Sequence, residues 1–396
     1  MKKGWEIKTL GEVCILRSGT TLPPSIEKPE GELPYLKVAD MNIEENDIYV
    51  VTSSRFVNKS DVNENGIIPV GSTIFPKRGG AILTNKKRLT TIPICMDLNL
   101  MAVSPKQEIT SEYLFYYFIG LDLRKINNGS SIPQINNYSI EPLQISYPPL
   151  PEQQRIVSVL DEAFVSIAQA KSNAERNLVN ARELFESVLE SFFEDPQHTP
   201  DGRVLESLCE LIVDCEHKTA PIQEEGYPSI RTPNIGRGYF ILDGVNRVSD
   251  ETYKRWTRRA IPQVGDLIFA REAPAGNVAV IPKDLEPCLG QRTVLIRPNK
   301  KVFKPYYLMW LLLSDNVQKF FVHNSKGSTV VHVNMKDIRG LKINNIPPLD
   351  EQRAIVGRLE ALSAETGRLE EIYQSKVESL EELKKSVLAK AFEGEL

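Results

Sequence analysis

The string PPLPEQQRIV, which begins at Pro148, returns as PPLDEQRAIV at Pro347, 199 positions later in a chain of 396 residues. Six further pairs of strings follow the same order at nearly the same offset. Among them are PVGSTIF with QVGDLIF, SVLESFFE with SVLAKAFE, and NNGSSIPQINNYSIEPLQI with NSKGSTVVHVNMKDIRGLKI. A shared order and offset indicate an internal repeat of about 195 residues, so the fold is one that is built twice.

Each half of the chain divides into a body of about 150 residues and an acidic tail. The bodies contain short apolar runs such as STIFP, AILT, DLIFA and NVAVIP, separated by Pro and Gly, which are typical of strands. One apolar helix is predicted before each Gly-Ser string, in SEYLFYYFIGLDLRKI and in KPYYLMWLLLSDNVQKFFV. The bodies are therefore expected to be α+β.

The tails have the pattern of long helices. No Pro or Gly occurs between Glu152 and Phe193, and apolar residues recur at alternating steps of four and three. This heptad pattern predicts a narrow apolar seam that needs a partner helix. The first predicted seam consists of Ile156, Leu160, Ala163, Ile167, Ala170, Ala174, Leu178, Ala181, Phe185, Val188 and Phe192. The second consists of Ile355, Leu359, Leu362, Thr366, Leu369, Tyr373, Lys376, Leu380, Leu383 and Val387.

Two such helices in one chain are partners for each other, and antiparallel pairing is simplest because the second body lies between them. We therefore predict an α+β fold with two repeated globular domains, joined by two long helices that form an antiparallel coiled coil in a pseudo-two-fold arrangement. The expected boundaries are 1–150, 151–195, 196–347 and 348–396. The alternative is that each helix lies on its own domain.

The net charge of −4 hides an uneven distribution. Residues 152–195 carry nine acidic and four basic residues, and 350–396 carry eleven and seven, whereas 196–349 hold a basic excess of five. A basic body remains compatible with a nucleic-acid partner. The start of the chain lacks a signal-peptide pattern, no apolar run has transmembrane length, and the five cysteines are scattered, so a cytoplasmic protein without a membrane partner is expected.

The sequence shows no motif of a catalytic site. A methyltransferase would need a Gly-rich cofactor loop and, for adenine, an Asn/Asp-Pro-Pro-aromatic string, and the prolines after Tyr147 have the wrong flanks. No P-loop is present, and the histidines and cysteines lack zinc spacing. Glu216 and Lys218 have nuclease-like spacing, which is expected by chance in a chain this rich in charge. We therefore expect no enzyme activity and no metal in this chain.

Two similar bodies, two spacing helices and no catalytic constellation suit a protein that reads a two-part DNA target. If the bodies were equal, the target would be palindromic. Because the bodies have diverged more than the helices, we expect the two half-sites to differ.

The residues at this point resemble one family, the specificity subunits of type I restriction-modification systems. The resemblance rests on the PPL-x-EQ-x-x-I-V strings, the closing KKSVLAKAFEGEL, the G-S-x-x-x-x-x-N strings, and the D-x-x-H-K-T-x-P loop at Asp214, and it covers essentially the whole chain. The first half departs from the family pattern at SFFEDP and at GSSIPQIN.

The resemblance implies two target-recognition domains that each read half of a bipartite, asymmetric site on double-stranded DNA. It implies that the paired helices set the spacing and dock two methylase subunits, which hold S-adenosylmethionine and methylate adenine. It also implies two restriction/translocase subunits that use ATP and Mg. No cofactor is expected on this chain itself.

The chemistry of DNA predicts the candidate contacts, because phosphates attract Lys, Arg and hydroxyl groups while base edges are read by forked polar side chains. In the first body they are Thr21, Lys37, Lys77, Arg78, Lys86, Lys87, Arg88, Ser130, Gln134 and Asn136. In the second body they are His217, Lys218, Thr219, Arg231, Arg271, Arg292, Ser328, Thr329, His332 and Asn334. The alternative to DNA contact is that the basic residues are solvated surface cations and that the serines cap a turn.

Two other functions remain open at this stage. A non-specific nucleic-acid-binding protein would bind every sequence alike with a steep salt dependence. A coiled-coil scaffold without sequence readout would have bodies that lack a basic surface.

Overall fold

The computed structural model describes residues 4–129, 132–193, 202–325 and 332–396. The chain divides into two compact units. Unit 1 comprises Met1–Ala174 and Ser375–Leu396, and unit 2 comprises Glu175–Gln374. Each unit therefore contains one body together with part of both tails.

Unit 1 contains ten strands and three short helices in its described body. The strands are β1 (Glu6–Thr9), β2 (Cys14–Ser18), β3 (Leu33–Leu36), β4 (Tyr49–Val50), β5 (Phe56–Val57), β6 (Thr73–Pro76), β7 (Arg88–Thr90), β8 (Cys95–Met96), β9 (Leu100–Pro105) and β10 (Gln144–Tyr147). The helices are α1 (Leu10–Val13), α2 (Ser111–Gly120) and α3 (Asn137–Ile140).

The tails form α4 (Leu150–Glu190) and α10 (Leu349–Glu393), with 41 and 45 residues. At 1.5 Å per residue these helices are roughly 60 to 70 Å long. Unit 2 contains the helices α5 (Leu205–Leu208), α6 (Asp250–Trp256), α7 (Pro305–Leu313), α8 (Asp315–Asn324) and α9 (Met335–Gly340). Its strands are β11 (Arg203–Val204), β12 (Cys209–Asp214), β13 (Tyr227–Ile230), β14 (Arg247–Val248), β15 (Leu267–Ala270), β16 (Val278–Val280), β17 (Cys288–Leu289), β18 (Thr293–Pro298) and β19 (Lys342–Ile343).

The two units share one sheet topology, which confirms the repeat seen in the sequence. Unit 1 has sheets ordered β1-β10, β2-β9-β6-β7-β4 and β5-β3-β8, and unit 2 has β11-β19, β12-β18-β15-β16 and β14-β13-β17. The matching pairs run in the same directions: β3 is antiparallel to β5 and parallel to β8, as β13 is to β14 and β17. The described part of unit 1 differs by one added edge strand, β4, which is parallel to β7.

The core of unit 1 takes side chains from both long helices. Ile156 and Leu160 come from the start of α4, and Leu388 and Ala391 come from the end of α10. All four are buried against the apolar helix α2, and the ring of Phe392 contacts Tyr113 of α2 at 4.9 Å between centroids. Unit 1 thus contains the start of α4 next to the end of α10, so the two helix segments are antiparallel.

Unit 2 is built in the same way with the helices exchanged. Leu359 comes from the start of α10 and Leu189 from the end of α4, and both are buried in one cluster with α7. Phe193 follows α4, and its ring contacts Tyr307 at 5.4 Å, the counterpart of the contact at Phe392 in unit 1. Here too the two helix segments are antiparallel.

A buried glutamine fastens the start of α4 to the body of unit 1. Gln153 is fully buried. Its amide nitrogen donates to the carbonyl oxygens of Glu108 and Pro148 at 2.8 Å each, and its oxygen accepts from the backbone N–H of Thr110 at 2.9 Å. Thr110 is the N-cap of α2. One side chain thereby joins the proline lead-in, the long helix and the apolar helix.

Gln352 does the same in unit 2. Its amide nitrogen donates to the carbonyl oxygens of Val302 and Pro347, and its oxygen accepts from the backbone N–H of Lys304, at 2.8 to 2.9 Å. Lys304 is the N-cap of α7. The repeated string PPL-x-EQ is therefore the sequence of this three-bond anchor.

The heptad prediction is confirmed for most of α4 and for the first half of α10. Gln153, Leu160, Ile167, Ala174 and Ala181 are buried at steps of seven. In α10 the buried residues Gln352, Leu359 and Thr366 repeat this spacing.

The predicted seam is wrong at Lys376 and Leu383, which are exposed. After Tyr373 the less exposed positions move by one residue to Val377 and Lys384. A helix with 3.6 residues per turn drifts from a strict seven-residue repeat, and one additional step of four corrects the drift.

The single apolar helix predicted before the second Gly-Ser string is wrong as well, because it is two helices, α7 and α8. Ser314 stands between them in an extended conformation. The backbone N–H groups of Asp315 and Asn316 donate to the carboxylate of Glu190 in α4. A carboxylate at a helix N-terminus satisfies the free N–H groups, so it favours a new helix start at this point.

Replacing either buried glutamine is expected to weaken one unit. Gln153→Ala leaves an N–H and two carbonyls without partners, and Gln352→Ala does the same in unit 2. We expect each variant to lower the free energy of unfolding of its own unit by about 2–4 kcal/mol. Hydrogen exchange followed by mass spectrometry should show faster exchange in α2 for Gln153→Ala and in α7 for Gln352→Ala.

Gln154→Ala is the matched control, since Gln154 is exposed on the same helix turn. Equal exchange in the control and in Gln153→Ala would contradict an anchoring role.

Candidate nucleic-acid interface

Three backbone hydrogen bonds join the chain segments around the end of strand β6 in unit 1. The N–H of Lys77 donates to Asn99 O at 2.8 Å, and the N–H of Ile135 donates to Lys77 O at 2.9 Å. The N–H of Gly19 donates to Leu100 O at 3.1 Å. These bonds bring together the ends of β2 and β6, the turn before β9, and the segment before α3.

Unit 2 repeats these bonds around the end of β15. The N–H of Arg271 donates to Arg292 O at 3.0 Å, and the N–H of Val333 donates to Arg271 O at 2.8 Å. The N–H of Cys215 donates to Thr293 O at 3.2 Å. The two units therefore present equivalent positions on one backbone frame, and the side chains at those positions differ.

In unit 1 the frame carries amide and cationic groups. Lys77 Nζ donates to Ser18 Oγ at 2.6 Å, and burial is the main cause that lowers the pKa of this lysine, with the neighbouring Arg78 adding to it. Arg78 is exposed. With the amide of Gln134 turned so that its oxygen faces the guanidinium, that oxygen accepts from Nε and Nη2 of Arg78 at 2.9 and 3.0 Å.

In unit 2 the equivalent positions form an ion-paired network around a buried arginine. Arg271 donates to Asp214 Oδ2 from Nη1, to Val333 O from Nε and to His332 Nε2 from Nη2, all at 2.9 to 3.0 Å. Nδ1 of His332 lies 2.9 Å from Glu272 Oε1. Because a guanidinium only donates, Nε2 of His332 is an acceptor, and the proton on Nδ1 is donated to Glu272.

The same network reaches the surface through Arg292. Its Nη1 lies 2.5 Å from Glu272 Oε2, and its side chain is 56% exposed. The backbone of Arg292 has φ 67°, in the left-handed region. This conformation costs a non-glycine residue on the order of 1 kcal/mol. A half-exposed ion pair stabilises the fold by at most about 1 kcal/mol. The ion pair therefore does no more than offset the cost of the left-handed backbone, and folding stability alone does not explain it.

The remaining predicted residues of unit 2 lie near this network or on its surface. His217, Lys218 and Thr219 are exposed on the loop after β12. His217 Nε2 lies 3.3 Å from Asp214 Oδ2. Arg231 is exposed, and Asn334 is the N-cap of α9.

Unit 1 places its other predicted residues in two environments. Thr21 is exposed, Asn136 is the N-cap of α3, Lys37 Nζ lies 2.8 Å from Glu27 Oε1, and Lys86 Nζ donates to Asn42.

Lys87 and Arg88 are different, because they are buried at 3% and 9% exposure. Lys87 directly precedes β7, and Arg88 is the first residue of β7 in the five-stranded sheet. Lys87 Nζ donates to Leu121 O at 2.6 Å, and Arg88 Nη2 donates to Met41 O at 3.0 Å. Their DNA contact stays a prediction, and it would require these bonds to be given up. The predicted Ser130, Ser328 and Thr329 lie outside the described residues.

Several residues of the frames were not among the predicted contacts, and one of them, Asp214, stands in the D-x-x-H-K-T-x-P string. Ser18, Asn99 and Glu272 belong to the clusters in space but carry no distinguishing local motif. The usable signal for Glu272 was its place next to Arg271, directly after an apolar strand.

Within the described ranges, no group of three or more His, Cys, Asp or Glu side chains is placed to hold a metal ion. Burial raises the pKa of Cys14, Cys209 and Cys288 to about 12, so these groups remain thiols. In the same ranges, no helix has both the length and the apolar character needed to cross a bilayer.

The family profile described as the type I restriction modification DNA specificity domain matches residues 2–175 and again 204–378. The chain belongs to this family. Specificity subunits of type I restriction-modification systems work with methylase and restriction subunits on DNA, and the chain is therefore a non-catalytic DNA-recognition subunit.

Several characterised specificity subunits are similar along most of their length. The chain is 22% identical to the EcoBI specificity subunit of Escherichia coli, covering 84% of this chain and 76% of the relative. It is 24% identical to the EcoKI specificity subunit of Escherichia coli K12, covering 100% and 90%. It is also 24% identical to the MjaIX specificity subunit of Methanocaldococcus jannaschii, covering 87% and 84%.

Two solved structures share the fold. A chain from a study of complex assembly and conformational transition in a type I restriction-modification system superposes with a TM-score of 0.75 at 20% identity, covering 100% of this chain and 99% of the other. The HsdS subunit from Thermoanaerobacter tengcongensis gives a TM-score of 0.62 at 19% identity, covering 100% and 98%. The predicted α+β fold with two repeated domains and paired long helices is confirmed.

The buried Lys87 of this specificity subunit gives a pH-dependent prediction. Burial lowers its pKa from 10.5 to about 8. Between those values the unfolded chain keeps a proton that the folded chain has lost, so stability rises with pH there. Relative to Lys87→Met, the wild-type free energy of unfolding should increase between pH 8 and pH 10 by up to about 1.4 kcal/mol per pH unit.

Urea unfolding of the full chain at pH 8, 9 and 10 measures this difference. Lys86→Met, which removes a neighbouring lysine that is less buried, is the control. Wild-type and Lys87→Met curves that stay parallel across this range would show that the amine is not desolvated.

Proposed function

We propose that the chain directs adenine methylation to a bipartite, asymmetric DNA site, with one half-site read by each body. Residues 1–150 and 196–347 are the two target-recognition domains of this proposal, and 151–195 and 348–396 are the helices that set the spacing and dock the methylase. The supporting observation is the repeated backbone frame, since the positions equivalent to Lys77, Arg78 and Gln134 are Arg271, Glu272 and His332.

The chemistry at the frame suits direct readout. Arg, Gln and His side chains at the ends of strands provide the donors and acceptors that distinguish base pairs in the major groove. The exposed cations of the predicted set, such as Arg78, Arg231 and Arg292, are available to phosphates as well. Different side chains on a common frame support unlike half-sites.

The finer partner assignments belong to the same proposal. Two methylase subunits hold S-adenosylmethionine and carry out the transfer, and two restriction/translocase subunits use ATP and Mg. The specificity chain recognises the target sequence on double-stranded DNA and contributes no reacting group.

The first test is co-expression with the neighbouring methylase gene in a host without DNA methylation, followed by single-molecule sequencing of modified adenines. We expect one split motif with two unlike half-sites around a gap of constant length. A stable complex that leaves no methylated motif would remove the readout proposal. Methylation spread over all sequences would indicate non-specific binding.

The spacing role has a separate test. Inserting seven residues into both helices, after Ala174 and after Gln374, adds one heptad to each and about 10 Å of length. We expect the unread gap to lengthen by about three base pairs at 3.4 Å each while both half-sites keep their sequences. The single insertions, which leave one helix longer than its partner, are the controls. An unchanged gap in an active double-insertion complex would contradict the spacing role.

A further inference from the structure

Glu272 in unit 2 and Arg78 in unit 1 occupy the same position in the repeated frame with opposite charge. Each lies two residues after the end of a buried strand, next to Arg271 or Lys77, whose N–H and C=O are fixed by equivalent hydrogen bonds. Each also contacts the equivalent partner, since Glu272 bonds His332 and Arg78 bonds Gln134.

We propose that this position reads a base edge in each half-site, with Arg78 donating to guanine and Glu272 accepting from the exocyclic amino group of cytosine or adenine. The inference rests on the proposed function and deepens it, because it assigns a base chemistry to one residue of each unit.

The carboxylate of Glu272 is unsuited to a phosphate contact, because both groups are anionic. Next to DNA, its favourable partners are the amino groups displayed in the major groove, of which cytosine N4 is the usual partner of Asp and Glu. A guanidinium in the same place has the complementary preference, for guanine O6 and N7. The reversal of charge between the units therefore predicts a reversal of base chemistry.

Glu272 is held in place and keeps unused acceptor capacity. Oε1 accepts from His332 and Oε2 from Arg292, and a carboxylate has about four acceptor sites. Its side chain remains 19% exposed. Arg271 beneath it is engaged at Nε, Nη1 and Nη2, so Arg271 acts as a positioning residue.

The left-handed backbone of Arg292 is a second sign that the site is more than an ion pair. Its counterpart Asn99 does not share this conformation. In unit 2 a residue with an unfavourable backbone thus places its guanidinium against Glu272, and this ion pair holds the carboxylate together with the bond from His332. Strained residues of this kind gather at binding sites.

The test uses the complex of the full chain with its methylase and maps methylated adenines for the wild type and for Glu272→Gln. The amide keeps the shape and gains donors, so the preference at one base pair of one half-site should weaken by roughly tenfold or more. The double variant E272R/H332Q, which installs the unit 1 pair, should move the preference at that base pair to guanine on the strand that is read. Arg78→Gln should change one position of the other half-site only.

Glu206→Gln is the control, because it removes a carboxylate of unit 2 that pairs with Arg339 at 3.4 Å, outside the frame. It should leave the motif unchanged.

The outcomes separate the two proposals. A wild-type complex without a motif removes the proposed function and this inference with it. A wild-type motif that Glu272→Gln and E272R/H332Q leave unchanged overturns the inference alone. Uniform loss of methylation in both variants, with every base preference retained, also overturns it, since it assigns Glu272 to folding. The inference is also overturned if the Glu272 and Arg78 variants change base preferences in the same half-site.

Discussion

The burial of both long helices in each body is the constraint on which the structure depends. Unit 1 is completed by the start of α4 and the end of α10, and unit 2 by the start of α10 and the end of α4. A narrow apolar stripe on a helix is stable in water only when it is covered. Here the stripe covers a partner helix along its length and a body at its ends, so the tails and the bodies stabilise each other.

The anchors Gln153 and Gln352 explain why the string PPL-x-EQ occurs in both halves of the sequence. A substitution at a buried amide with three partners is destabilising even when the new side chain has the same size, because the donors and acceptor of the amide are lost. The preceding proline supplies one of the two carbonyls that each amide nitrogen needs, and the body supplies the other. The frame positions that we propose to read DNA differ from the anchors, because equivalent hydrogen bonds fix their backbone while their side chains differ between the two units. Divergence at the frame and conformity at the anchors therefore occur together in one chain.

A specificity subunit of this design recognises the DNA sequence, and the chemical reaction takes place on other subunits. The described residues provide donors, acceptors and fixed charges without a catalytic grouping, and the reacting groups belong to other subunits in our proposal. Because the backbone frame is the same in both units, our proposal implies that a new half-site requires a change of side chains and no change of fold. The opposite charges of Arg78 and Glu272 illustrate how far one position can be altered on that frame.

The sequence by itself determined the duplication, the two long helices and the α+β class, because repeats and heptads are patterns of local order along the chain. It also pointed to Arg271 and His332, which stand in aligned strings. Only the tertiary structure decided that Lys87 and Arg88 are interior cations held by carbonyls, since a basic string looks the same on a loop and in a sheet. Only the tertiary structure could bring Glu272, Arg292 and His332 together, because contacts between residues 20 to 60 positions apart depend on how strands pack.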